Sequence, residues 1–330
     1  MKKVFISLII SLACQYSFAQ TVKTLASGIK SSMRGLSVVD DKTVWVSGSG
    51  GTVGLSSDSG NTWKWMKVKG HEKTDFRDIE AFDEWTAIIM GIDTPAIILK
   101  TVDGGETWKT MFEDKTPGMF LDAMEFWNDQ SGIVIGDPIN GRMFVARTFD
   151  GGINWRGIPE ENKPRVDSGE ACFASSGTNI RKLNKQEAIF ITGGLSSHLF
   201  IRDQKINMPI LQGTESTGAN SIAVKNKKTF IVVGGDFNKK DSSHKNCVIT
   251  NDGGKTWSTP QTAPHGYRSC IEYLEKKNWI TCGLNGTDYS TDDGKTFTWI
   301  SKDSYHVCRK AKKGSAVYFA GGGKVGKLVF

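Results

Sequence analysis

One octapeptide returns five times along the chain. It reads SSDSGNTW at 56–63, TVDGGETW at 101–108, TFDGGINW at 148–155, TNDGGKTW at 250–257 and STDDGKTF at 290–297. Its aspartates, Asp58, Asp103, Asp150, Asp252 and Asp292, are separated by 45, 47, 102 and 40 residues. The gap of 102 is two periods, so a unit near residue 200 lacks the motif. A period of this size means one supersecondary unit stacked on copies of itself. Each unit carries short strand-like runs, in the first at 35–39, 44–47 and 52–55 before the octapeptide and 64–68 after it. Four short strands per period of about 45 residues is the arithmetic of a propeller blade. The 37 glycines and 10 tryptophans suit many tight turns and aromatic anchors.

Aligned first strands start at Arg34, Arg77, Leu121, Gly169, Ala219, Arg268 and His306. The last unit has room for three strands, and residues 21–26 supply the missing outer one. The expectation is all-β: a single domain over 20–330, a seven-bladed β-propeller closed by N- and C-terminal strands in the last blade.

The octapeptide resembles the Asp-box, or BNR repeat. The carboxylate accepts hydrogen bonds from turn N–H groups and the glycine supplies a positive φ. Trp63, Trp108, Trp155 and Trp257 fold back as apolar wedges. The box is therefore a structural staple rather than a catalytic device.

The start carries Lys2 and Lys3, an apolar stretch over 4–13 and small residues Ser17 and Ala19. This is the pattern of a signal peptide over 1–19, and it predicts export to the periplasm or outside the cell. The other processing route, lipidation at Cys14, wants a Leu three residues upstream, where Ser11 stands. No later apolar stretch approaches 18 residues, so no transmembrane segment is expected in the mature chain. Export permits disulfides, but the remaining cysteines, Cys172, Cys247, Cys270, Cys282 and Cys308, are odd in number. Cys270 and Cys282 fall opposite each other in a hairpin turning at Lys276 and Lys277. No zinc-type spacing or phosphate loop is present, so no metal and no cofactor is expected. The net charge of +7 is spread without a basic run, against nucleic-acid binding. A monomer is expected.

The first strand of a propeller blade lines the central channel, and loops converge at its mouth. Polar residues open nearly every first strand. The candidate binding residues are Arg34, Arg77, Asp78, Asp122, Glu170, Asn220, Arg268 and His306. Turns after the second strands add Asp93, Asp137, His198, Asp236 and Asn285. Arg34, Arg77, Arg268 and His306 are read as a basic arc facing Asp78, Asp122 and Glu170. Arginine suits an acidic partner because its planar fork grips carboxylates in bidentate fashion.

The runs at 44–63, 132–155 and 249–257 resemble the photosystem II stability/assembly factor-like propellers, a branch of the BNR-repeat proteins. The resemblance implies a non-enzymatic binding or assembly module. Its partner would be a protein segment, or a small acidic or sugar ligand, held at the channel mouth. The alternative is a glycoside hydrolase of sialidase-like or glucanase-like type. Arg34, Arg77 and Arg268 would mimic an arginine triad, with Asp78 as acid, or Asp122 and Glu170 as a carboxylate pair. Gly35 after Arg34 departs from the sialidase Arg-Ile/Leu-Pro motif.

Overall fold

The computed structural model describes residues 20–330, so the signal peptide over 1–19 and Cys14 lie outside the described residues. Among those residues the chain is all-β apart from one helical turn, Glu160–Asn162. Four-stranded antiparallel units follow one another. One runs Phe76–Ala81, Ala87–Gly91, Ala96–Thr101 and Lys109–Asp114. The next runs Leu121–Phe126, Gly132–Ile139, Arg142–Thr148 and Arg156–Gly157. Two more four-stranded units begin at Ile180–Lys182 and Cys270–Glu275, and between them Thr217–Val224 is the middle strand of a five-stranded sheet.

Strand sequences explain the stacking. Ala87–Gly91 reads AIIMG and is buried throughout. Side chains alternate between faces, so Ala87 and Ile89 pack with Trp45 and Ile79 of preceding strands. Ile88 and Met90 pack with Leu121 and Met124 of the following sheet. A strand apolar on both faces must lie between two sheets, and the core is a series of such layers.

The octapeptides join those layers. In the second copy Thr101 Oγ1 donates to Asp103 at 2.7 Å and accepts the Gly105 N–H at 3.0 Å. Asp103 accepts the Thr107 N–H at 2.9 Å, and the Trp108 indole donates to the Gly105 carbonyl at 3.2 Å. Gly105 has φ +81°, and a Cβ there would lie 2.9 Å from Met66 of the preceding sheet. The box glycine is thus both the turn residue and the point where one sheet leans on the last. The copies at Asp58, Asp150, Asp252 and Asp292 make the same carboxylate bonds. Trp257 departs, its indole nitrogen having no partner among the described residues.

Strand β1 (Thr21–Val38) belongs to two units at once. Its first half pairs with Gly322–Val329, Thr21 opposite Val329. Its second half pairs with Val44–Gly48, Val38 opposite Val44. A seven-stranded sheet results, spanning both ends of the described chain.

Expected strand starts shift by one or two residues at Arg77, Ala219 and His306, where the strands begin at Phe76, Thr217 and Val307, and two further shifts displace candidate residues. The fourth unit begins at Ile180–Lys182 rather than at Gly169. Glu170–Ala171 is instead a two-residue strand on Gly193–Gly194, which joins the next sheet. The sixth begins at Cys270 rather than Arg268. Cys270 and Cys282 do stand in register, but all five described cysteines are free and buried.

Candidate functional site

Four of the candidate residues share one backbone device. The register of the first strand slips at Arg34, Arg77, Asp122 and Asn220, each the extra residue between two paired neighbours. A bulge re-aims the side chain it carries. Repeated from sheet to sheet, it turns residues that would face a neighbouring sheet toward a shared axis.

A loop over 172–179 crosses that axis. The Ser175 carbonyl accepts from Arg34 at 3.2 Å, and the Ser175 hydroxyl donates to Asn220 at 3.1 Å. Ser176 donates to the Ser269 carbonyl at 2.7 Å, and Thr178 to Ser221 at 2.6 Å. The Gly177 carbonyl accepts from Arg309 at 3.1 Å. One short loop therefore touches first strands from all round the structure. These contacts make it a plug of the channel, and its residues Cys172, Phe173, Ala174 and Ser175 line a cavity of about 370 Å³; another cavity, of about 670 Å³, is lined by none of its residues.

The smaller cavity, at the mouth, holds Arg34, Arg77, Asp137, Asn220, Tyr267 and His306. Phe173, Phe237 and Tyr267 form an aromatic wall, with ring centroids 6.0 and 6.4 Å apart in sequence. Arg77 is tied to Asp75 at 2.8 Å. Arg34 donates to the Ser175 carbonyl and has no carboxylate within 4 Å among the described residues. Burial, and then the Arg77 charge, lower its proton affinity. His306 is pushed down to about 3 by burial, Arg34 and Arg77, so it is neutral. The basic arc is therefore two guanidinium groups, not four cations.

Acidic groups sit differently from expectation. Asp122 is completely buried, and its oxygens have no donor among the described residues. Its neighbour is the carboxyl of Asp137, which accepts the Cys172 N–H at 3.1 Å. Burial, followed by the Asp137 charge, pushes Asp122 well up; burial pushes Asp137 up to about 6. Asp78 is buried below, accepting the N–H groups of Ile79 and Met124, both at 2.8 Å. Burial pushes it up to about 7 despite Arg309 nearby.

Glu170 and Arg268 do not line the mouth. Burial alone would raise Glu170, but bonds from His198, Thr192, the Asp167 N–H and Lys205 hold it down to about 2. The plug explains the displacement, because its residues separate Glu170 from the first strand. Arg268, 0% exposed, pairs with the equally buried Asp288, which also accepts from His265 at 2.8 Å. Tyr267, one residue earlier, occupies the mouth instead, donating to Asn220 at 2.7 Å.

The larger cavity holds charges that neutralise one another: Arg181 lies 3.7 Å from Glu125 and 3.2 Å from Glu272, and Lys312 lies 2.7 Å from Glu80. Asp167, Glu170 and His198 have ligand atoms within 4.8 Å of one another. Lys205, 2.8 and 2.9 Å from the two carboxylates, already supplies the cation there.

The BNR/Asp-box repeat family model matches residues 248–259. A curated relative, vacuolar protein sorting/targeting protein 10 of Talaromyces stipitatus, is 24% identical over 249 residues, 68% of this chain. The match spans only 16% of that relative's length. Among solved structures, YCF48 bound to D1 peptide aligns with TM-score 0.68 and 16% identity over 96% of each chain. YCF48 from Cyanidioschyzon merolae gives 0.66 and 16%, covering 93% of this chain and 98% of that one. The WD40 β-propeller domain of Doa1 gives 0.61 and 15%, covering 94% and 97%. The fold is a β-propeller carrying a BNR/Asp-box repeat, and the resemblance read in the sequence is met at the level of the fold.

Proposed function

We propose that this chain is an exported, non-enzymatic binding propeller of seven blades. In this reading the seven-stranded sheet is two blades sharing β1, and the protein acts as a monomer. The mouth cavity takes an acidic group of a partner protein segment or small ligand. One observation carries the reading: Arg34 lines a cavity of about 370 Å³ beside a second guanidinium, with no carboxylate of its own among the described residues. A partly confined cation left unpaired is costly, and an incoming carboxylate relieves that cost. The YCF48 neighbour, a propeller of the same fold in complex with a peptide, supports a protein segment as occupant.

The hydrolase reading is weaker on two counts. Glu170 is engaged elsewhere, and Asp122 and Asp137 are close enough to share a hydrogen bond. Glycosidase carboxyls stand about 5 to 9.5 Å apart around the scissile bond. The cavity tyrosine, Tyr267, is pushed up to about 12 by burial, opposite to an activated nucleophile.

The test is retention of peptides with free C-terminal carboxylates, against their amides, on immobilised protein. Wild type is expected to hold acids and release amides. Arg34→Ala with Arg77→Ala is expected to lose this discrimination while remaining folded, the lost Arg77–Asp75 pair costing about 1 kcal/mol or less. Equal retention of acids and amides by wild type refutes the reading.

A further inference from the structure

Arg34 and Asp137 line the same cavity and do not meet. Arg34 is held back by its bulge and by the Ser175 carbonyl, Asp137 by the Cys172 N–H. Among the described residues neither has an oppositely charged side chain within 4 Å, whereas buried Glu170 has Lys205 and buried Arg268 has Asp288. Behind Asp137 stands Asp122, buried, with no donor but the Asp137 carboxyl to share a proton with. The cavity thus presents a guanidinium without a carboxylate and a carboxyl without a cation to whatever enters it. Building both into one confined space is unfavourable unless an occupant answers each.

We propose that the cavity takes a dipolar group, with a carboxylate set against Arg34 and Arg77 and an ammonium set against Asp137. This rests on the reading of the mouth as a carboxylate site and adds a second anchor to it. The wall of Phe173, Phe237 and Tyr267 receives the apolar body between the two charges. Aromatic faces also favour a neighbouring ammonium. The cavity volume, about 370 Å³, is at the small end of ligand sites. Two sources carry this chemistry: a free α-amino acid, and a peptide chain end whose last side chain is lysine.

Calorimetry on the described protein separates them. In one arm the probes are phenylalanine, 3-phenylpropionate and phenylalaninamide. In the other they are N-acetylated tripeptides ending in lysine, in norleucine, and in lysinamide. In one arm the dipolar parent is expected to bind roughly tenfold tighter than its counterpart lacking the ammonium, as for a charged hydrogen bond. Asp137→Asn is expected to erase that preference alone, because the amide oxygen still accepts the Cys172 N–H and the fold is kept; melting is recorded alongside. Arg34→Gln with Arg77→Gln is expected to erase only the preference for acid over amide. Equal binding with and without the ammonium in both arms overturns the proposal, as does a preference that survives Asp137→Asn, or no binding of either parent. Equal binding of acid and amide instead counts against the carboxylate site itself.

Discussion

Gly177 presses on Asp78: a Cβ on Gly177 would overlap the Asp78 carboxyl group. The plug can cross the channel only because this residue has no side chain and adopts φ +62°. Gly177→Ala is expected to destabilise the protein by about 1–2 kcal/mol from the left-handed backbone alone. The clash with a buried carboxyl adds to that. Denaturant unfolding reads this directly, and a variant as stable as wild type would mean the plug is not packed as described.

Arg34 and Arg268 have opposite roles. Arg268→Ala leaves Asp288 buried and without its guanidinium, which is expected to cost about 3–5 kcal/mol. Arg34→Ala removes a cation that has no carboxylate partner, so stability is expected to change by less than about 1 kcal/mol. Equal losses in the two variants would contradict this division.

Stability is expected to fall as pH rises from about 4 to about 7. Folded Asp78 and Asp137 titrate at about 7 and about 6, and Asp122 is also raised. Across that window the folded chain holds protons that the unfolded chain releases. His306, at about 3, works the other way between 3 and its ordinary value near 6.5, and one group does not offset three. Melting is expected several degrees higher at pH 5 than at pH 7.5, with a smaller gap in Asp137→Asn. Below about pH 4 the trend reverses, because Asp103 and its equivalents titrate at about 2, held down by hydrogen bonds within the box.

Asp150→Ala withdraws the acceptor of the Asn154 N–H. A melting temperature lower by roughly 2–4 °C is expected. Ligand binding per folded molecule is expected to be unchanged, since no box residue lines the mouth cavity. Lost binding at unchanged melting would make the box functional.

The repeat made the architecture legible. Boxes, strand count per unit and the closure by residues 21–26 all follow from local chemistry with a fixed period. The mouth was half legible, because polar residues opening a strand mark where a bulge turns them inward, as at Arg34, Arg77 and Asn220. Failures occurred where the period stretched. The plug over 172–179 is an insertion whose Ser, Gly and Thr residues resemble any loop, and it moved Glu170 off the first strand. Arg268 was misassigned to the mouth, since periodicity alone does not fix which of Tyr267 and Arg268 faces the axis. Asp137 was visible as a turn residue, but its meeting with Asp122 depends on how that turn folds back over its own sheet.

Because β1 is stitched to Gly322–Val329, the ring closes through residues at opposite ends of the described chain. Such a pairing comes late in folding, after the intervening sheets are in place. Until then the molecule is an open arc whose last sheet lacks its outer strand. Another copy's residues 21–27 fit that vacant edge as well as its own do. Domain-swapped dimers and longer head-to-tail chains are therefore the misassembly this closure invites, most of all at high concentration during refolding.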